Sequence, residues 1–158
     1  MQPSSHMADA RVLIVDDNPD DALLTRRALS HLVSAGKTLV AEHGQRALDY
    51  LFGTGEFRGR DDRAQPDFIL LDMQLPGLNG LDVLDAIRAD PRTRLVPIVM
   101  LSGVDDAAAR VTAYRKGANS FLVKPGQAEL FESLVRRAGH YWLSVNRTVP
   151  VIRAGFLR

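Results

Sequence analysis

The sequence predicts an α/β domain in which five parallel β-strands are each followed by an α-helix. Five short apolar runs alternate along the chain with stretches of helical periodicity, and this alternation indicates βα repeats with right-handed crossovers. The third run, residues 68–71, is apolar at every position and ends in Asp72. A run of that kind is typical of a strand in a sheet covered by helices on both faces. The length of 158 residues suits one domain with a substantial core.

The amino-acid composition indicates a soluble globular protein and excludes cysteine-dependent sites. The apolar fraction of 46%, the charged fraction of 25% and the net charge of +1 are ordinary for a soluble globular protein. The absence of cysteine excludes disulfides, zinc–thiolate sites and thiol catalysis. No apolar run approaches the ~18 residues of a membrane span, and no signal peptide is visible. We therefore expect a cytoplasmic protein that makes no membrane contact.

The two ends of the chain are predicted to lie outside the domain, which we place at residues 9–146. Residues 1–8 lack periodicity and are interpreted as a disordered start or a tag remnant, because residues 5–7 resemble a vector scar. Residues 147–158 form a predicted tail. From Ser133 onward the chain carries five arginines, no lysine and no acidic residue. This pattern favours a solvated or partner-facing segment over a nucleic-acid-binding one.

In the first half of the chain, the first predicted strand ends at Asp16 and Asp17. Asn18 and Pro19 are a favourable N-cap and first residue for the helix that follows, which Gly36 is expected to end. The elements that come next are a second strand at residues 38–41, a second helix at 44–51 and a surface insertion, rich in Gly, Arg and Asp, at 53–66.

The second half continues the alternation after Asp72. Its predicted elements are a third helix at residues 81–89, a fourth strand at 96–102, a fourth helix at 105–116, a fifth strand at 120–123 and a last helix at 127–145. The last helix would be ~28 Å long, whereas strands of five or six residues span ~17–20 Å. The helix should therefore overhang the sheet by about two turns.

The overhang of the last helix is the predicted site of self-association. The helix has an apolar stripe that consists of Leu130, Leu134, Ala138, Tyr141 and Val145. Exposed aromatic residues need cover, either from a second copy of the chain or from residues 149–157 folding back. We favour a homodimer through the fourth and fifth helices, and the candidate interface residues are Leu134, Tyr141, Trp142 and Val145.

Polar side chains follow four of the five predicted strands. They are Asp16 and Asp17 after the first strand, Asp72 after the third, Ser102 after the fourth and Lys124 after the fifth. Because parallel strands end at one edge of a sheet, these side chains should converge there. Three clustered carboxylates repel one another unless a cation intervenes, and hard oxygen ligands suit Mg²⁺. A carboxylate beside Mg²⁺ and a lysine is equipped to attack phosphorus, so the site indicates phosphoryl acceptance.

This set of residues resembles the receiver domains of two-component response regulators, the CheY-like family. The shared motif is an acidic pair after the first strand, one Asp before a Pro-Gly turn, a Ser or Thr after the fourth strand, and Lys-Pro after the fifth. The resemblance covers residues 11–145. It implies a flavodoxin-like (βα)5 fold, a doubly wound five-stranded parallel sheet with strand order 2-1-3-4-5 and an extended C-terminal helix.

The resemblance also implies roles for individual residues. Asp72 would receive a phosphoryl group from the phosphohistidine of a sensor histidine kinase. Mg²⁺ would bind Asp17 directly and Asp16 through water, with Asp72 and the backbone carbonyl of Gln74 as further ligands. The chain ends 34 residues after Lys124, so the expectation is a single-domain regulator with no enzymatic activity beyond autodephosphorylation.

Four further positions take their roles from the same resemblance. Ser102 and Lys124 would contact the phosphoryl group, and the Lys124–Pro125 peptide bond would be cis. Phe121 matches the aromatic switch position, although its alternative interpretation as an ordinary apolar strand residue stays open. Val104, two residues after Ser102, is apolar where water would have to be steered, which suggests slow autodephosphorylation.

A finer resemblance points to a kind of kinase. The long insertion after the second helix, the Asn-Pro-Asp-Asp start of the first helix and a last helix containing Tyr-Trp-Leu resemble regulators that pair with bacterial phytochrome kinases. The resemblance implies that the partner kinase could be a bacteriophytochrome.

Three other classes of function stay open at this point. An aspartate-nucleophile, Mg²⁺-dependent phosphatase of the haloacid dehalogenase type needs an Asp two residues after the nucleophile, and here that position is Gln74, which cannot transfer a proton. A pseudo-receiver that only binds protein partners would not need the acceptor residues, all of which are present. A nucleotide-binding domain is the weakest alternative, because the first strand-to-helix turn is acidic.

Overall fold

The structure is a computed structural model that describes residues 10–149. The predictions made for residues 1–8 and for the tail beyond residue 149 lie outside the described residues. Within the described part of the chain, none of the helices combines the length and the apolar character that crossing a bilayer requires.

Five parallel strands form one sheet, as predicted. In chain order they are β1 (Val12–Val15), β2 (Thr38–Ala41), β3 (Phe68–Asp72), β4 (Ile98–Ser102) and β5 (Ser120–Val123). Their spatial order is β2-β1-β3-β4-β5, which confirms the doubly wound, flavodoxin-like arrangement. β4 begins two residues later than predicted, because Val96 still belongs to a turn in which its N–H bonds to the carbonyl of Thr93.

Helices cover both faces of the sheet. In chain order they are α1 (Pro19–Leu29), α2 (Gly44–Phe52), α3 (Gly80–Ala89), α4 (Ala107–Arg115) and α5 (Ala128–His140), which continues as a π-helical turn (Tyr141–Val145). α1 packs against α5 on one face, and α2, α3 and α4 lie on the other. β1, β3 and β4 are buried at every position, which explains the unbroken apolar runs in the sequence.

The register of the sheet brings the strand ends to one edge. Val15, the last residue of β1, pairs with Ala41 and with Leu71. One step further along the sheet, Asp72 pairs with Leu101. Ser102 in turn pairs with Val123. The polar residues at these strand ends therefore lie side by side along one edge.

α1 begins where the sequence predicts it and ends earlier. The side chain of Asn18 accepts hydrogen bonds from the backbone N–H groups of Asp20 and Asp21, and Pro19 is the first helical residue. The helix ends at Leu29 instead of near Gly36. After Leu29 the chain turns, with the N–H of Val33 bonded to the carbonyl of Leu29, and this turn buries Val33 beside α1.

The insertion after α2 is anchored to the domain and is not a simple surface loop. It contains a 3₁₀ turn (Gly55–Phe57), and Phe57 is buried. The Phe57 ring packs edge-on against the Tyr50 ring with centroids 5.2 Å apart. The guanidinium of Arg60 stacks 3.8 Å from the centroid of the Tyr50 ring and donates a hydrogen bond to the Tyr50 carbonyl. These contacts give the insertion a fixed position beside α2.

The face of α5 that packs against the core is not the apolar stripe predicted from the sequence. Its buried residues are Phe131, Val135 and Gly139. Gly139 permits a close approach to α1, because a Cβ at this position would lie 2.7 Å from Leu29 Cδ2. Trp142 continues the same face, since it lies three residues after Gly139. It is half-buried and packs against the core on the face of the sheet that α1 and α5 cover, and its place in an interface between two copies stays a prediction.

The predicted stripe lies on the outer side of α5. Leu130, Tyr141 and Val145 are 54%, 47% and 55% exposed, and Leu134 and Ala138 are half-buried. The predicted stripe is therefore apolar, but it is not the face of α5 that packs on the sheet.

Candidate functional site

The acidic residues at the ends of β1 and β3 meet at the edge of the sheet. Asp16 and Asp72 are buried, whereas Asp17 is exposed. Each buried carboxylate accepts a hydrogen bond from a backbone N–H two residues further on. Asn18 donates to Asp16 Oδ1 over 2.9 Å, and Gln74 donates to Asp72 Oδ1 over 3.1 Å. The backbone turns that follow β1 and β3 thus hold these two carboxylates in fixed orientations.

Lys124, directly after β5, joins the acidic residues. Its Nζ donates hydrogen bonds to Asp16 Oδ2 (3.0 Å), Asp21 Oδ2 (2.9 Å) and Asp72 Oδ2 (3.0 Å). Only 12% of the lysine side chain is exposed. In a partly buried site of this kind, each charge-assisted hydrogen bond is stronger than at the open surface.

Burial and these contacts shift two pKa values. Burial raises the pKa of Asp16 to about 6, although the hydrogen bonds from the Asn18 N–H and from Lys124 oppose the shift. Burial by itself would lower the pKa of Lys124, but its hydrogen bonds to Asp21, Asp16 and Asp72 outweigh burial and raise it. The lysine is therefore a cation at neutral pH.

The same edge offers the donor set of a hard divalent cation. Asp16, Asp17 and Asp72 each provide a carboxylate oxygen, and these three atoms all lie within 4.8 Å of one another. Three carboxylates, one of them open to solvent, suit Mg²⁺, which binds oxygen ligands and keeps several waters. The residues present fit the predicted metal.

The other two predicted site residues, Ser102 and Phe121, do not contact the carboxylates or Lys124 in the hydrogen bonds described above. The Ser102 hydroxyl donates to the carbonyl of Val104 over 2.7 Å and accepts from the Val104 N–H over 3.1 Å. Phe121 is half-buried and packs against the core on the side of α2, α3 and α4. The hydroxyl is therefore engaged with the loop after β4 in this structure.

The peptide bond between Lys124 and Pro125 is trans, so the cis bond implied by the resemblance is wrong for this structure. No cis peptide bond occurs in residues 10–149. Trans is the ordinary preference of a bond before proline, and Lys124 reaches all three carboxylates with the bond in this form.

Asp21 is the site residue that the sequence did not reveal. It lies in the first turn of α1, where an acidic residue is explained by the positive end of the helix alone. The sequence feature that could have indicated Asp21 is the pair Asn18–Pro19. This pair begins α1 directly after β1, so the first turn of the helix, which contains Asp21, lies over the edge of the sheet.

Comparison with known proteins assigns this fold and site to a family. A family model described as the response regulator receiver domain matches residues 12–136. The chain belongs to this family. As a receiver domain it is a component of two-component signalling, in which receivers interact with histidine kinases.

Individual relatives cover most of this receiver domain. It is 36% identical over 139 residues to the probable methanogenesis regulatory protein FilR2 of Methanothrix harundinacea, which covers 87% of this chain and 86% of the relative. Among solved structures, the phosphorylated cyanobacterial phytochrome response regulator RcpA is 28% identical with a TM-score of 0.81, covering 89% of this chain and 99% of that one.

The bacteriophytochrome response regulator AtBRR is 34% identical with a TM-score of 0.69, and the match covers 89% of this chain and 97% of AtBRR. The predicted resemblance to phytochrome-associated regulators is confirmed by these structures.

Proposed function

We propose that this receiver domain accepts a phosphoryl group on Asp72 and that phosphorylation changes which protein it binds. The observation that carries the proposal is the hydrogen bond of 3.0 Å from Lys124 Nζ to Asp72 Oδ2, beside a cluster of three carboxylates. Negative charge spreads over the phosphoryl oxygens during transfer, and a fixed ammonium beside the acceptor stabilises that charge.

In the proposed transfer, a carboxylate oxygen of Asp72 forms a bond to phosphorus while the bond between phosphorus and the donor breaks. The electron pair of the broken bond leaves with the donor, on an imidazole nitrogen of a phosphohistidine or on the carboxylate oxygen of acetyl phosphate. A carboxylate nucleophile needs no general base. This agrees with the absence of histidine from the residues that surround Asp72 at the sheet edge described above.

Asp16, Asp17 and Asp72 would hold Mg²⁺, and the carbonyl of Gln74 stays a predicted further ligand. When bound, the ion supplies positive charge to the phosphoryl oxygens. The chain itself contributes orientation, because the N–H of Gln74 holds Asp72 Oδ1. It also contributes the second cation, Lys124.

Ser102 and Phe121 are the proposed switch residues. For the Ser102 hydroxyl to bind a phosphoryl oxygen, its hydrogen bond to the Val104 carbonyl must break, and the loop after β4 would move with it. Phe121 has no hydroxyl, so two positions of its ring would differ in packing alone.

A sensor histidine kinase is the proposed phosphoryl donor, and a bacteriophytochrome is the proposed kind of kinase. The support is the similarity to the phytochrome response regulators RcpA and AtBRR. Profiling transfer from a panel of phosphorylated kinases tests the pairing, which is contradicted if phytochrome kinases transfer no faster than unrelated ones. A cytoplasmic location stays a prediction, in keeping with the absence of cysteine.

The basic test uses the wild-type protein. Incubation with acetyl phosphate and Mg²⁺ should add one phosphoryl group to the intact protein, measured by mass spectrometry. Omitting Mg²⁺ should prevent the addition. A protein that stays unmodified under both conditions contradicts phosphoryl acceptance and favours a binding module without phosphorylation.

The raised pKa of Asp16 predicts that Mg²⁺ binding depends on pH. Metal binds the ionised carboxylate, so protons compete with Mg²⁺ as the pH falls through about 6. We expect the increase in melting temperature caused by saturating Mg²⁺ to be larger at a pH of about 7.5 than at about 5, because the folded pKa lies between them. Asp16→Asn is the control and should flatten this dependence. An equal thermal shift of the wild type at both pH values would contradict the prediction.

Val104 is proposed to keep the phosphorylated form long-lived. It is 58% exposed and has no group that could orient water for attack on the acyl phosphate. We expect Val104→Glu to shorten the lifetime by roughly an order of magnitude, part of the effect of a positioned general base. The measurement is the decay of phosphorylated protein after donor removal. Val104→Leu, which enlarges the side chain without adding a hydrogen-bonding group, should decay like the wild type, and an unchanged lifetime in Val104→Glu would argue against the role.

The outer side of α5 is proposed to form a homodimer. Leu130, Tyr141 and Val145 present an exposed apolar line, and burial of such a surface favours association. Val145→Asp should convert the dimer to a monomer in light scattering, because a charge without a partner would be buried in the interface. Ser144→Asp, at the exposed neighbouring position, is the matched control. A Val145→Asp variant with the mass of the wild type would remove this segment from the interface.

A further inference from the structure

Lys124 is shared among three carboxylates, and one of them, Asp21, has no role in the phosphoryl transfer proposed above. An ammonium group has three N–H donors. Asp16, Asp21 and Asp72 accept one hydrogen bond each, at 3.0, 2.9 and 3.0 Å. The donor capacity of the lysine is therefore fully used before any phosphoryl group arrives.

A phosphoryl oxygen on Asp72 would need one of these three donors. Asp16 and Asp72 belong to the carboxylate cluster that would hold Mg²⁺, so bound metal reduces their attraction for the lysine. Asp21 lies outside that cluster and keeps its full charge. Of the three acceptors, Asp21 is thus the one that continues to compete for Lys124 after the metal and the phosphoryl group have bound.

Asp21 is also held firmly where it is. Its N–H bonds to Asn18 Oδ1 over 3.2 Å, and its carbonyl accepts a hydrogen bond from the Thr25 hydroxyl over 2.8 Å. The first turn of α1 is a rigid anchor, so the contact with Asp21 draws the Lys124 ammonium towards α1.

We infer that Asp21 is a positioning residue that competes with the phosphoryl group for Lys124 and so lowers the affinity of the site for that group. The inference rests on the proposed function, because it concerns the same acceptor site. Through Asp21, α1 would make the phosphorylated state of the receiver less favourable.

Asp20 provides a matched control. It lies one residue earlier in the same helical turn and is exposed. Asp20→Asn removes the same charge from the positive end of α1 without changing any of the three hydrogen bonds of Lys124. A difference between the two Asp→Asn variants therefore reports the contact with Lys124 and not the net charge.

The test is an equilibrium titration with beryllium trifluoride, a phosphoryl analogue, at saturating Mg²⁺, followed by ¹⁹F NMR. Asp21→Asn should bind the analogue about fivefold more tightly than the wild type, the effect of a partly screened charged contact. Asp21→Ala removes the acceptor altogether and should bind at least as tightly. Asp20→Asn should match the wild type within about twofold.

The outcomes separate this inference from the proposed function. A residue with a purely structural role loses affinity when it is replaced, so weaker binding by Asp21→Asn and Asp21→Ala overturns the competition. Equal affinities of the Asp21 and Asp20 variants, in a protein that acetyl phosphate labels normally, overturn the inference alone. A wild-type protein that neither binds the analogue nor accepts phosphate overturns both.

Discussion

Asp72→Asn is expected to abolish labelling by acetyl phosphate in the presence of Mg²⁺. Asparagine has the size of aspartate, and its Oδ1 can still accept the N–H of Gln74, but its neutral amide is not a nucleophile for phosphorus. Lys124 keeps its hydrogen bonds to Asp16 and Asp21, so the surrounding site should stay in place. Intact-mass spectrometry should show one added phosphoryl group on the wild type and only background on the variant.

The matched control is Asp85→Asn. This aspartate is exposed and pairs with Lys116 on the surface, so its loss should leave labelling at the wild-type level. Labelling of Asp72→Asn to the same extent as the wild type would show that another group accepts the phosphate. Peptide mapping of the labelled variant would then identify that group.

Gly80→Ala is expected to cause a large loss of stability. A Cβ at this position would lie 2.7 Å from Met73 Cα and would also clash with the Asp72 carbonyl oxygen. Both neighbours are backbone atoms at the end of β3 and cannot rotate away. α3 would have to move from the sheet, at a cost of about 3 kcal/mol in the free energy of unfolding, measurable by urea denaturation.

Gly103→Ala is the control for this effect. A Cβ at Gly103 would meet nothing within 4 Å, so the variant should be as stable as the wild type or slightly more stable. If Gly80→Ala and Gly103→Ala unfold at the same urea concentration, the close contact between α3 and β3 does not limit stability. Because Gly80 lies directly against the backbone of Asp72, Gly80→Ala should also weaken Mg²⁺ binding.

The elements that were predicted well share a local cause. Asn18 and Pro19 begin α1 through the side-chain cap and the proline geometry, and both signals are visible in two adjacent residues. The three central strands are buried at every position, and apolar except for the last residues of β3 and β4, because helices cover both faces of the sheet. These local patterns are sufficient to predict the parallel sheet and the edge at which the site lies, and no knowledge of contacts between distant residues is needed.

The elements that were predicted poorly depend on contacts between distant parts of the chain. The stripe of Leu130, Tyr141 and Val145 is as periodic as the buried face, but packing of Gly139 against Leu29 turns it outward. The length of α1 was overestimated because the turn that buries Val33 carries no glycine or proline. Periodicity indicates that a helix has an apolar face, but it does not say which of two such faces meets the core.

By itself, the sequence determined the α/β class, the parallel sheet and the carboxylates and lysine at its edge, because strand ends and turn residues are encoded locally. Only the tertiary structure decided that Asp21 shares Lys124 with Asp16 and Asp72, since residues 21 and 124 lie far apart in the chain and meet only when α1 and β5 reach the same edge. It also decided that the Ser102 hydroxyl bonds to Val104 and which face of α5 is covered. These features depend on side-chain directions, and packing between elements sets those directions.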